Sequence, residues 1–152
     1  MFVDYQFYIN TFKGNLSEEE FNRYVTISCN NISKETCSRV RDGTINSFPS
    51  ELVKDIKLCA CALVEKFKSF YDFFNIVSAN GGALRSKTAG AVSVSYDTSS
   101  SLSYLLDPKN QETQIKSIIN AYLFPRCING RFYNLLSKVL DNTSHCDTCC
   151  IV

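Results

Sequence analysis

Four residues near the end of the chain have the side chains of a metal site. His145, Cys146, Cys149 and Cys150 lie in the stretch HCDTCC. Imidazole nitrogen and thiolate sulfur are the usual zinc ligands, and CxxC spacing lets two thiolates reach one ion. A structural zinc site joins two separated ligand pairs, however, and here four ligands crowd into one short run. The sequence therefore assigns them no metal and the chain no cofactor. His145 is the only histidine, so Ser-His-Asp or Cys-His chemistry would have to be built on it. A base must be held rigidly by packed neighbours, and a polar terminal stretch supplies none. The phosphate-loop, GxGxxG and HExxH patterns do not occur. The carboxylates Glu18, Glu19 and Glu20 sit where a helix should begin, which capping explains. Asp55 and Glu65 are expected on solvated faces of a later helix. The reading is that of a non-enzyme. The final CCIV also fits a prenylation pattern, but no polybasic run supports it.

The elements that would position these residues are mostly helices. At 152 residues, 45% hydrophobic and 20% charged, the chain has the composition of one globular domain with or without a tail. A net charge of +1 produces no strong field towards nucleic acid or membrane. No apolar run approaches the roughly 20 residues of a spanning helix. The opening MFVDYQFYIN has an early Asp4 and no basic region, so no secretion signal is expected and synthesis is placed in a cytosol. On that ground most of the eight cysteines are read as reduced.

Asp4 can cap a first helix that Gly14 ends, with Phe7, Tyr8 and Phe12 on its apolar face. Ser17 and Glu20 form a capping-box pair. Phe21, Tyr24, Val25, Ser28 and Ile32 follow at helical spacing in a helix expected to reach about Val40. A third helix opens near Pro49, with Ser47 or Ser50 as its cap. Leu52, Ile56, Cys59, Leu63, Phe67, Phe70 and Phe74 make one apolar stripe along it, the spine of the core. Asp107 and Pro108 open a fourth helix, with Ile115, Ile118, Ile119, Tyr122 and Leu123 facing inward and Pro125 beyond its end. The remainder holds an amphipathic stretch of Phe132, Leu135, Leu136, Val139 and Leu140.

Between the last two helices lies SKTAGAVSVSY. Val92, Val94 and Tyr96 alternate with Ser93 and Ser95, the period of a half-buried strand. LRSKT and AVSVSY can form a hairpin about Ala89-Gly90. A lone two-stranded hairpin is marginal in water and needs a helix face or a neighbouring chain. No acidic residue occurs between Asp72 and Asp97, whereas Arg85 and Lys87 are basic.

MFVDYQFYINTFKGNLSEEEFNRY, DIKLCACALVE and above all SKTAGAVSVSY resemble the head–tail connector proteins (adaptor or head-completion proteins) of long-tailed bacteriophages. The resemblance covers roughly residues 1–125. It implies a mainly α fold, a small helical bundle with a long loop or β-hairpin between helices and an extended C-terminal tail. Residues 1–125 would form the helical adaptor domain, and 126–152 a partner-binding tail. The family implies a structural virion protein at the neck, on the capsid vertex, assembled in the host bacterial cytoplasm. Typically twelve copies form a ring beneath the portal protein, extend the DNA channel, and dock stopper or tail-terminator neck proteins. Genomic DNA passes through the lumen without sequence-specific binding, and no membrane is involved. Carried onto this chain, Arg85, Lys87, Val92, Val94 and Tyr96 belong to a channel or inter-subunit loop. Arg131, Phe132, Tyr133, Leu135 and Leu136 belong to a portal-binding tail. The chain departs from the family pattern in its longer tail and in HCDTCC. The alternative reading is a small helical regulator that binds DNA or protein.

Overall fold

The computed structural model describes residues 1–79, 87–89, 92–94 and 107–136. It is a mainly α fold, a small helical bundle with β-hairpins appended. A short helix α1 (Tyr5–Phe7) continues as a π-helical turn through Tyr8–Phe12. Asp4 caps it, its side chain accepting from the Phe7 amide at 2.8 Å. Lys13 ends it in the left-handed region at φ 64°. Helix α2 (Glu18–Glu35) opens on the expected capping box: the Glu20 amide donates to Ser17 Oγ at 3.3 Å, and the Ser17 amide donates back to the Glu20 carboxylate at 3.2 Å.

Helix α2 stops short of Val40. Thr36 is its C-cap, and Cys37 and Ser38 turn left-handed at φ 50° and 62°. Val40 is buried all the same. A loop carries it there, held by the Ser33 hydroxyl donating to the Val40 carbonyl at 2.7 Å and by the Val40 amide donating to Thr36 Oγ1. An apolar residue at helical phase thus reaches the core from a loop that polar side chains have folded back.

Helix α3 (Ser50–Ala79) has 30 residues, about 45 Å at 1.5 Å per residue. It starts directly after Pro49, whose carbonyl accepts from the Val53 amide; Ser50 is its first residue and Ser47 lies in a preceding 3₁₀ turn. The start of α2 lies against the second half of α3, Glu20 at Lys68 and Tyr24 at Tyr71, while Cys29 further along α2 neighbours Cys59 in the first half of α3, so the two helices run antiparallel. The expected stripe divides along α3. Leu52, Ile56, Cys59 and Leu63 are buried, Phe67 and Phe70 half-buried, and Phe74 is 56% exposed. The end of this helix therefore stands outside the core that its first half organises.

Strands β1 (Lys87–Ala89) and β2 (Val92–Val94) pair antiparallel, with Ala89 opposite Val92. The turn expected about Ala89-Gly90 falls partly outside the described residues, which stop at Ala89 and resume at Val92. The strand has its partner within the chain. Helix α4 (Pro108–Tyr122) has Asp107 as its cap and Pro108 in its first turn. Ile119 and Leu123 are buried, with Ile115, Ile118 and Tyr122 packed around them.

The stretch after Pro125 does not begin as a helix. Strands β3 (Arg126–Ile128) and β4 (Arg131–Tyr133) form a hairpin about Asn129-Gly130, at φ 50° and 74°. Positive φ at both central residues is what Asn-Gly provides in a tight hairpin turn. Ile128 and Leu135 enter the core, and the Arg39 guanidinium donates to the Asn134 carbonyl at 2.6 Å. Residues 126–136 are thus fastened to the bundle rather than trailing from it. Val139 and Leu140 lie outside the described residues.

Truncation within the stripe should read out this division. Leu63→Ala should cost about 2–5 kcal/mol, whereas Phe74→Ala should change stability by no more than about 0.5 kcal/mol. Urea denaturation of the two variants checks both values.

Candidate functional site

The surface around the second half of α3 is set by a contact deep in the bundle. Tyr8 is fully buried. Its ring lies against Phe21, Phe12 and Tyr5, with centroids 5.0, 5.7 and 6.0 Å away. Its hydroxyl donates to the Glu65 carboxylate on α3 and accepts from the Leu16 amide at 3.1 Å. Tyr5 completes the clamp, donating to the Leu16 carbonyl at 3.0 Å. Both backbone groups of Leu16 are thereby held one residue before the α2 cap. Glu65 is not on a solvated face as the sequence suggests; it is half-buried and holds the phenol. Asp55 is half-buried as well.

Burial, and next the hydrogen bond to Glu65, push the Tyr8 hydroxyl up to about 12. Gly14 leaves room for the ring: a Cβ there would fall 1.9 Å from Tyr8 Cζ.

Beyond this anchor α3 carries an ionic cluster and an open groove. Lys68 pairs with Asp72 at 2.5 Å and with Glu20 at 3.5 Å. The hydrogen bond to Asp72 raises the lysine's pKa, and the Ser17 amide, then its hydroxyl, lower that of Glu20. A groove of about 420 Å³ runs past Leu16, Glu65, Lys68, Asp72, Phe73 and Ile76. Ile76 and Tyr71 are exposed, and Arg23 stacks over Tyr71 with its guanidinium 5.9 Å from the ring centroid. The Tyr24 hydroxyl, buried beside Tyr71, has no hydrogen-bond partner among the described residues. A second groove of about 480 Å³ lies between Phe124, Pro125, Asn134 and Leu136, and Phe124 is 73% exposed.

Of the residues singled out by sequence, Lys87, Val92 and Val94 lie in the first hairpin, with Lys87 opposite Val94. Arg85 and Tyr96 are outside the described residues, as are His145, Cys146, Cys149 and Cys150. Arg131, Phe132 and Tyr133 form β4. Arg131 is exposed and Tyr133 half-buried, while Leu135 is buried, so Leu135 supplies packing rather than a docking surface. Leu136 borders the second groove.

Among the described residues no group of three or more His, Cys, Asp or Glu side chains is placed to hold a metal ion. Cys29, Cys59 and Cys61 are buried. Burial pushes the Cys59 and Cys61 thiols up to about 12, which suppresses the nucleophilic thiolate. No described helix is long and apolar enough to cross a membrane. The chain matches no known family model, curated protein or solved structure.

Neither groove was visible in sequence, because each is assembled from separate segments. Exposed apolar residues grouped at a helix end are a mark of interaction surfaces, and Phe74 and Ile76 could have been flagged as the continuation of a stripe past the core.

Two variants test the anchor. Gly14→Ala should lower stability by several kcal/mol, because the Tyr8 ring cannot share the space; thermal melting reads this. Tyr8→Phe should cost about 1–3 kcal/mol near neutral pH. The raised Tyr8 value also fixes a sign. The protonated phenol is the form that folding favours, so its contribution is full below pH 10 and is lost as pH rises through about 12. The stability difference between wild type and Tyr8→Phe should shrink over that window in chemical denaturation.

Proposed function

We propose that this chain is a structural head–tail adaptor of a long-tailed phage virion. In this reading it forms a ring, typically of twelve copies, between portal and tail, extends the DNA channel and docks stopper or tail-terminator proteins. It acts at the virion neck after assembly in the host bacterial cytoplasm and catalyses nothing. The observation that carries the reading is the β1–β2 hairpin between α3 and α4. It falls on SKTAGAVSVSY, where the resemblance to these connectors is strongest, and follows a helix whose last turns expose Tyr71, Phe74 and Ile76. Apolar side chains left exposed on the helix that precedes such a hairpin in sequence suit a subunit completed by its neighbours. The portal-facing surface would include Arg131 and Leu136, beside the exposed Phe124.

Purified protein mixed with a portal from a long-tailed phage should give rings on the portal in negative-stain images. A chain that stays monomeric and ignores portals contradicts the reading. Tight duplex-DNA binding that weakens steeply with salt would favour the regulator instead.

A further inference from the structure

The groove beside α3 has a mixed character that defines its occupant. Leu16, Phe73 and Ile76 give it apolar walls. Its charge is acidic: Glu65 and Asp72 line it with Lys68, and Glu20 reaches the same ammonium. Asp72 and Glu20 pair with Lys68 and Glu65 accepts from Tyr8, so three carboxylates against one ammonium leave the groove net negative. A side chain that fills this groove needs an apolar body and a cationic end. A Lys beside a branched aliphatic residue meets both demands, since a lysine stem packs on apolar surface while its ammonium seeks carboxylates.

The first hairpin carries that pair. Lys87 and Val94 are direct cross-strand partners, and the chain from Phe73 to Tyr96 contains no acidic residue. A hairpin with two three-residue strands is too small to be stable in isolation, so a docking surface also answers its own need. We propose that the acidic, apolar groove at α3 receives the Lys87–Val94 end of the hairpin from a second copy of this chain. The contact rests on the adaptor reading in one respect: both need copies set side by side. A groove of about 420 Å³ has the size of a small-ligand pocket and takes a few side chains. It is a pairing contact between subunits, not a complete interface.

Charge reversal tests it on the full-length chain. Asp72→Lys and Lys87→Asp should each weaken self-association about tenfold or more, because each sets like charges together. The double variant should regain association close to wild type. Sedimentation over protein concentrations up to about 1 mM and ring counts on portal are the two readouts, with thermal melting as the check on folding. Single variants that associate like wild type overturn the contact, as does a double variant no better than either single. Effects on the melting temperature alone, without concentration dependence, overturn it in favour of a hairpin docking within its own chain. A wild-type chain monomeric throughout and ringless on portal overturns it as well. Rings that form on portal but ignore both reversals remove this contact and leave the adaptor reading standing. Charge-dependent self-association without portal binding does the opposite.

Discussion

Tyr8 sits between three elements with no exposed surface, and its hydroxyl is a polar atom that burial penalises unless donor and acceptor are both used. Both are: the hydrogen goes to Glu65 on α3 and a lone pair takes the Leu16 amide. One side chain therefore ties the N-terminal segment to the longest helix and fixes the residue preceding the α2 cap. Its ring requires Gly14 beneath it and Phe21 of α2 beside it. Without this contact α2 and α3 would still hold a common apolar seam, but the N-terminal segment would lack the hydrogen bonds that make its position unique.

The consequence for the surface follows from where Glu65 lies. Up to that residue α3 is enclosed: Cys59, Ala60, Cys61, Leu63 and Val64 are all buried. Beyond it the described residues do not enclose the helix on every side, and the apolar stripe runs out through Phe67 and Phe70 to the exposed Phe74. The ionic cluster of Glu20, Lys68 and Asp72 sits at this boundary. Being only partly buried, those pairs add little stability. They set a fixed charge pattern on the surface of the second half of the helix.

Local chemistry was well legible in sequence. Ser17 with Glu20 and Asp107 with Pro108 mark helix starts because caps act within one turn, and the residues that satisfy a helix end are adjacent to it. The α3 spine was legible for the same reason, as periodicity is a local property. The end of α2 was not, because Val40 keeps the helical phase while Thr36, Ser33 and left-handed Cys37 and Ser38 fold the chain otherwise. Asn129-Gly130 is a strong hairpin signal that competes with the helix-like spacing of Phe132, Leu135 and Leu136, and the turn prevails. The Tyr8–Glu65 bond spans 57 residues, and nothing in the spacing announces it. The grooves share that origin, being products of tertiary assembly.

Helix α3 is one helix with two regimes: a first half clamped in the core up to the Tyr8–Glu65 bond, and a last part outside it. Amide hydrogen exchange along α3 in the isolated chain measures this directly. Protection should lie near the global unfolding limit from Ile56 to Val64, the Leu16 amide should be protected, and protection should fall steeply beyond Phe70. Uniform protection through to Ala79, or a Leu16 amide that exchanges as fast as an open loop, would contradict this division.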